Sequence, residues 1–353
     1  MRQKLGAILY DLPRFLWSMR PSSRRTWVHM RNREERLTAG PNGCGVLCDW
    51  EWTSDLHLAG VFPFLGHLLM NRALRSWPIG FQDEPIGAHS GKIKVSFIIG
   101  HRGMQRLPHL LLTLRSIAAQ REILVECIVV EQSPVPEAKD HLPAWIRYIH
   151  TPLPFGEMPY CRSWAFNIGA RCAGGDVLVL HDNDMLLPEA YASEVLARVE
   201  QGYEVANLKR FIFYLNESHS AGLLSGGLSI CDEAPEAVVQ NLEAGGSVAI
   251  TRDAYFAIGG FDESFVGWGG EDNEFWERAQ TRLVWPYGYL PIVHAWHSAQ
   301  AGKFDSQRST GTLYDARSAI PATERIAELR LRDFGNPEVA PLDLASAEYS
   351  SRS

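Results

Sequence analysis

Three short stretches hold the residues best suited to chemistry. The first is His181-Asp182-Asn183-Asp184, which directly follows the apolar run Val177–Leu180. Two carboxylates this close repel each other unless a cation relieves them. Hard oxygen ligands at such a place, completed by diphosphate oxygens, suit Mg²⁺ or Mn²⁺. The second stretch is Glu271-Asp272, inside Gly259–Trp276 (GGFDESFVGWGGEDNEFW). Gly267, Gly269 and Gly270 permit backbone paths that a Cβ would block. With Trp268 among them, they suggest a glycine-hinged lid that carries an aromatic and a carboxylate to a substrate. The competing reading is a plain helix start, where carboxylates are favoured by the helix dipole. The third stretch is His294 and His297, three residues apart after the apolar Pro291–Val293. Imidazole nitrogens added to an Asp-x-Asp site would favour Mn²⁺ over Mg²⁺; two unrelated histidines are the alternative. Arg102, at the end of an earlier strand, could meet a nucleotide, though a lone loop arginine is commonly just solvated.

Elements that must position these groups follow from pattern. Ile93–Ile99 reads as a strand ending at Gly100, Leu107–Gln120 as a helix, and Leu124–Glu131 as a second strand. Tyr160–Ala173 reads as a helix carrying Arg162 and Asn167. Asp176–Leu180 is a short buried strand, Val248–Ile250 another, and Arg252–Ile258 the helix before the glycine-rich loop. This strand–helix–strand order predicts an α/β fold with a mostly parallel sheet, its ligands at the strand carboxyl ends. Three zones emerge. Residues 1–90 form an N-terminal accessory region without a readable motif, 91–302 the main domain, and 303–353 a polar, helical tail whose last dozen residues read as disordered.

Composition narrows the function. A net charge of −7 and a pI near 6.0 argue against a nucleic-acid binder. Six cysteines in 353 residues are not a disulfide scaffold, and the close pair Cys44/Cys48 lacks further ligands at zinc spacing. No apolar run is long enough to span a membrane. Asp11, Pro13 and Arg14 interrupt the N-terminal apolar patch, against a signal peptide. Its basic flanks leave two readings, an amphipathic segment on an anionic membrane face or a helix packed on its own protein. The expected location is cytoplasmic, with peripheral contact at the inner membrane face as an option.

From about Lys94 to Ser298 the chain resembles the GT-A glycosyltransferases, especially the β-1,4-galactosyltransferase family and bacterial family 2 polysaccharide glycosyltransferases. The motifs occur in the same order. Val95–Arg102 is similar to that family's first strand and nucleotide loop, and Ile128–Gln132 to its second strand. Tyr160-Cys161-Arg162, with Asn167 and Gly169, resembles its Phe-Asn-Arg helix. Leu180–Pro188 (LHDNDMLLP) resembles its metal strand, and Gly246–Arg278 the segment through Gly-Trp-Gly-Gly-Glu-Asp. The resemblance implies a Rossmann-like GT-A fold and a Mn²⁺- or Mg²⁺-dependent, inverting transfer of a hexose. Galactose or an N-acetylhexosamine is favoured, moving from a UDP-sugar to a glycan or glycolipid hydroxyl in polysaccharide biosynthesis. Carried over by position, Asp184 is the metal aspartate, joined by His294 and His297, and Asp182 lies on the nucleotide side. Asp272 is the base, Glu271 holds sugars, and Trp268 is the lid aromatic. Arg102, Arg162 and Gly270 contact the sugar nucleotide.

Departures from the family pattern are specific. Met104 stands where the family has a second arginine, unless Arg106 takes over. Asn273 replaces the third acidic residue of the lid helix, and His294 replaces a methionine ligand. Adjacent carboxylates on one helix turn diverge, which makes a two-carboxylate glycosidase scheme less apt. Two rival readings stay open: a non-catalytic sugar-nucleotide-binding module, and a sugar-phosphate nucleotidyltransferase. The latter would ordinarily carry a lysine in a glycine-rich loop, and Gly100–Arg106 has none.

Overall fold

The structure is a computed structural model, and it describes residues 2–20, 26–49, 54–86, 94–153, 158–240, 243–298 and 310–338. Ile93 and the final dozen residues lie outside these. Seven strands form the main sheet, in the order Val284–Trp285, Val205–Ala206, Ser247–Thr251, Val177–His181, Val95–His101, Val125–Ser133 and Arg147–Pro152. The four strands from Val177–His181 outward are parallel, whereas Ser247–Thr251 pairs antiparallel with both of its neighbours. The inner strands are rich in apolar residues and buried along almost their whole length, because helices cover both faces. One of those helices, Arg162–Cys172, lies so near the sheet that a Cβ on Gly169 would sit 2.2 Å from Ile98 Cγ2.

A second, five-stranded sheet lies along the cleft. Its order is Ser54–Asp55, Ala237–Gln240, Lys209–Tyr214, Leu290–His294 and Met185–Leu186. Lys209–Tyr214 and Leu290–His294 run parallel, so Tyr214 and His294 end side by side. The apolar run Pro291–Val293 thus belongs to a strand in a different sheet from Val177–His181, and the two are brought together only by the fold.

The N-terminal zone contributes directly to this framework. Trp27 is fully buried against Phe211, with ring centroids 6.1 Å apart. Arg210 is buried as well. Its guanidinium donates to the carbonyls of Val28 and Met30 and, at 2.6 Å, to Gln240 Oε1. Ser54–Asp55 completes the edge of the second sheet. Apolar residues of this zone therefore share one core with the strands that frame the cleft.

The C-terminal tail holds the acidic helix from behind. The helical tail expected there contains two helices, Gly311–Ser318 and Ala322–Leu329. Arg325 donates to Glu274 at 2.9 Å, and Arg278 closes the same fully buried carboxylate at 2.6 Å. Removing one partner of a buried ion pair leaves an uncompensated charge in a poor solvent. Glu274→Ala should therefore destabilise the chain by about 3–5 kcal/mol. Urea unfolding of the variant against the parent checks this, and a loss below ~1 kcal/mol would contradict it.

Candidate active site

The cleft opens where strand Val177–His181 ends. Its volume is about 1020 Å³, and its lining includes Arg102, Arg162, Asp182, Asp184, Trp268, Glu271, Asp272, His294 and His297. Nine of the ten residues singled out from sequence thus line one cavity. Gly270 is not among the lining residues. It caps the helix Glu271–Ala279 with φ +86°, and a Cβ there would meet the Tyr314 Cβ at 2.6 Å. A left-handed glycine lets the chain turn from the Trp268 loop straight into the helix, so that Glu271 and Asp272 occupy its first turn.

Asp182 and Asp184 point to different neighbours. Asp182 accepts from Arg162 at 2.9 and 2.7 Å, and from the Gly246 amide at 3.2 Å. Asp184 is nearly buried and faces His297 Nε2 at 3.1 Å, Arg106 Nη1 at 3.3 Å and His294 Nε2 at 3.8 Å. The backbone holds this group, because the Ala295 amide donates to the Asp184 carbonyl at 3.0 Å. Tyr214 stacks on His294 with ring centroids 4.4 Å apart and fixes the imidazole plane.

The ligand atoms of Asp184, His294 and His297 lie within 4.8 Å of one another. Burial alone would raise the Asp184 carboxyl, but His294, His297 and Arg106 outweigh it and hold it well below the usual carboxylate range. Burial lowers His294 against the opposing pull of Asp184. A carboxylate held ionised and an imidazole shifted toward its neutral form are the states in which these groups can ligate a metal. One oxygen and two nitrogen donors fit Mn²⁺ better than Mg²⁺.

The two carboxylates of the acidic helix are also differentiated. Burial, then the charge of Asp272, pushes the Glu271 carboxyl up to about 7, partly offset by Arg162 3.5 Å away. Arg162 therefore ties the two acidic stretches together, bonding Asp182 and facing Glu271. Burial would discharge its guanidinium, but Asp182, Glu271 and Asp272 together hold it firmly charged. Trp268 remains about half exposed (47 %), and its carbonyl accepts from the Thr310 amide at 3.1 Å. A half-exposed tryptophan in the wall of the cleft suits a contact surface for a ligand.

The cleft decides between Met104 and Arg106, and it adds Lys209 and Tyr214, which were not singled out from sequence. Met104 packs against the main core, whereas Arg106 enters the cleft beside Asp184. Lys209 is buried below the cleft and donates to the carbonyls of Glu243 (2.9 Å) and Ser247 (2.7 Å), which bracket the Gly245-Gly246 turn. Burial lowers it to about 7, against the pull of Asp272 and Asp182. Tyr214 could have been noticed as the polar end of an apolar strand, Lys209–Tyr214, but nothing local pairs it with His294.

Two family models match the chain. Glycosyl transferase family 2 covers residues 104–226, and the N-terminal domain of galactosyltransferase covers 240–284. Human and mouse β-1,4-galactosyltransferase 5 are each 26 % identical over 129 residues, 35 % of this chain and 27 % of the relative. The match thus spans about a quarter of the length of these curated relatives. Among solved structures, GalNAc-T7 with UDP, GalNAc and Mn²⁺ is 14 % identical. It covers 66 % of this chain and 50 % of that one, with a TM-score of 0.47. The mannosyltransferase PcManGT from Pyrobaculum calidifontis, in complex with GDP-Man and Mn²⁺, is 14 % identical. It covers 78 % of this chain and 73 % of that one, with a TM-score of 0.39. The mostly parallel α/β sheet agrees with the GT-A expectation, and in sequence the chain is similar to the glycosyltransferases of family 2 and of the galactosyltransferase group.

Proposed function

We propose that the protein is an inverting, metal-dependent glycosyltransferase that moves a hexose from a UDP-sugar to a hydroxyl of a glycan or glycolipid. Galactose or an N-acetylhexosamine is the favoured donor sugar. One observation carries the reading: Asp184, His294 and His297, spaced so that they could hold a metal, line the same cleft as the helix-borne carboxylate Asp272, and Arg162 bridges Asp182 and Glu271 there. Asp184, His294 and His297 would hold the divalent ion, which when bound neutralises the charge on a departing nucleoside diphosphate as a Lewis acid. Arg102, Arg106 and Arg162 add positive charge along the diphosphate. Asp272 accepts the proton of the acceptor hydroxyl as it attacks the anomeric carbon from the side opposite the leaving group. Attack from that side inverts the centre. Glu271 is placed to hydrogen-bond sugar hydroxyls, and its raised pKa lets it donate as well as accept near neutral pH. Trp268 covers the bound sugar, and Asp182 orients Arg162 toward the nucleotide. Gly270 is assigned to the backbone turn that aims these groups. Residues 1–90 act as a structural support of the 91–302 domain, and peripheral membrane contact through the N-terminal end belongs to this reading.

The test is a donor panel with Mn²⁺ and each common UDP-, GDP- and dTDP-sugar, scored by nucleotide release and by heat of binding. Release from one UDP-hexose that stops with chelator is the expected outcome. Binding without release in the presence of glycan acceptors supports the non-catalytic module instead. Pyrophosphate-dependent turnover of the sugar nucleotide supports a nucleotidyltransferase.

A further inference from the structure

The N-terminal helix carries its large apolar side chains mostly on its exposed side. Residues Arg2–Gly6, Ala7–Asp11 and Leu12–Ser18 form successive turns of α-, π- and α-helix without a break. Ala7, Asp11, Phe15 and Ser18, spaced four, four and three apart, are the buried stripe against the protein. The opposite side should be polar in water. Instead it presents Leu5, Ile8, Leu9 and Leu16, with Leu5, Leu9 and Leu16 each about 60 % exposed. Tyr10 and Trp17, about half exposed, flank this stripe. Arg33 covers the Tyr10 ring at 4.0 Å, and Trp17 meets His29 edge-on.

A second helix extends the surface. On Pro63–Ser76, Phe64 and Leu68 lie one turn apart and are exposed, and Arg72 continues the same side. The Arg72 guanidinium donates to the Arg20 carbonyl at 3.1 Å, just past the end of the N-terminal helix. The two apolar stripes therefore approach each other at that end. Exposed apolar surface of this extent is uncommon on a monomeric soluble protein and marks a binding face.

Charge identifies what covers it. Residues 1–30 contain six Lys or Arg against one acidic residue, Asp11, a balance of +5. The whole chain carries −7, so the remaining residues carry −12. The lone acid is withdrawn from the surface, buried beside Arg14 (3.6 Å) and His57 (3.5 Å). Lys4 and Arg20 are exposed along the leucine stripe. A second copy of this chain would bring like charge against like charge on that face. An anionic bilayer meets both demands, taking leucine side chains below the headgroups and cations at the phosphates, with Trp and Tyr at the boundary.

We infer that the exposed face of the helix spanning residues 2–18, extended by Phe64 and Leu68, is a peripheral docking surface for anionic lipid. It deepens the membrane contact included in the proposed function, but binding itself needs neither donor nor acceptor. The experiment is flotation of the full chain with vesicles of phosphatidylcholine alone or mixed equally with phosphatidylglycerol. The expected result is flotation with the anionic vesicles only, weakened about tenfold or more by the double change Leu9→Asp and Leu16→Asp. Lys4→Glu with Arg20→Glu, which leaves the apolar stripe intact, should weaken it as well. Melting curves verify that both variants fold, and nucleotide release from soluble donor should stay at the parent level. No flotation with either vesicle overturns the inference, as does flotation that both variants retain. Dimerisation in size-exclusion chromatography that is lost in the leucine variant would assign the face to a second copy instead. Because flotation uses no sugar nucleotide, its failure leaves the transferase reading standing, and an inactive donor panel leaves the lipid reading standing.

Discussion

Asp272→Asn should lower the transfer rate by about 10²–10⁴-fold while leaving Mn²⁺ and nucleotide binding within about twofold of the parent. The asparagine keeps the size of the side chain but cannot accept a proton. Asp272 is not a member of the metal-ligating set, which is built from Asp184, His294 and His297. Its one short backbone bond, to the Asn273 amide at 3.0 Å, can be made by an amide oxygen. The change also has an electrostatic signature at the neighbouring residue. Burial and the charge of Asp272 together raise Glu271 to about 7. With Asp272 neutral, the Glu271 pKa should fall, so Glu271 would be more fully ionised at pH 7 than in the parent. Single-turnover transfer together with titration calorimetry tests the pair of statements. Retained transfer with normal binding would remove Asp272 from the role of base and leave Glu271 to be tried next by Glu271→Gln.

Asp184→Asn should have the opposite profile, losing metal binding first and transfer as a consequence. Outer-shell partners of a metal commonly contribute 10–100-fold to affinity. The sole carboxylate among the ligands should therefore contribute more than about 10²-fold. The sign of the local electrostatics agrees. His294, His297 and Arg106 all face this carboxylate, and they hold it ionised against the effect of burial. Removing the negative charge leaves Arg106 and two imidazoles converging on a site meant for a cation. Chelator applied to the parent should reproduce the loss, with Mn²⁺ restoring activity to the parent and not to the variant. Direct Mn²⁺ titration by calorimetry separates loss of metal from loss of chemistry. Unchanged Mn²⁺ affinity in the variant would show that the ion sits elsewhere.

The two results together divide the cleft by function. One variant should bind and not react, and the other should fail to bind. A residue that merely supported the fold would move both readouts and the melting temperature alike, as Glu274→Ala is expected to do.

Much of this site was legible in the chain before any coordinates. An acidic Asp-x-Asp that follows an apolar run must lie where that strand leaves the sheet, because the strand is too short to do anything else. Asp182 and Asp184 are there. Likewise, Gly267, Gly269 and Gly270 all adopt positive φ, and the helix begins at Glu271 as the glycine-rich run implied. Both are local facts, set by burial pattern and by what a missing Cβ permits. The parallel order of the first strands was equally local in origin, since a strand, a helix and a strand in short succession leave few other topologies.

Local residue patterns therefore account for the inventory and for the geometry of each piece. The tertiary structure decided which pieces meet. His294 reaches Asp184 because Leu290–His294 lies between Lys209–Tyr214 and Met185–Leu186 in a second sheet, a register no spacing rule contains. Arg106 rather than residue 104 faces Asp184, because the short turn at Met104–Arg106 packs the methionine against the core and turns the arginine into the cleft. The N-terminal zone, motifless as a string, supplies Trp27 to the core and backbone carbonyls to Arg210. Its helix shows its leucines outward only because the opposite stripe, Ala7 to Ser18, is the one taken by the protein. Periodicity states that a helix has an apolar face. Only the packing of the rest of the chain decides which face is covered and which is left for a partner.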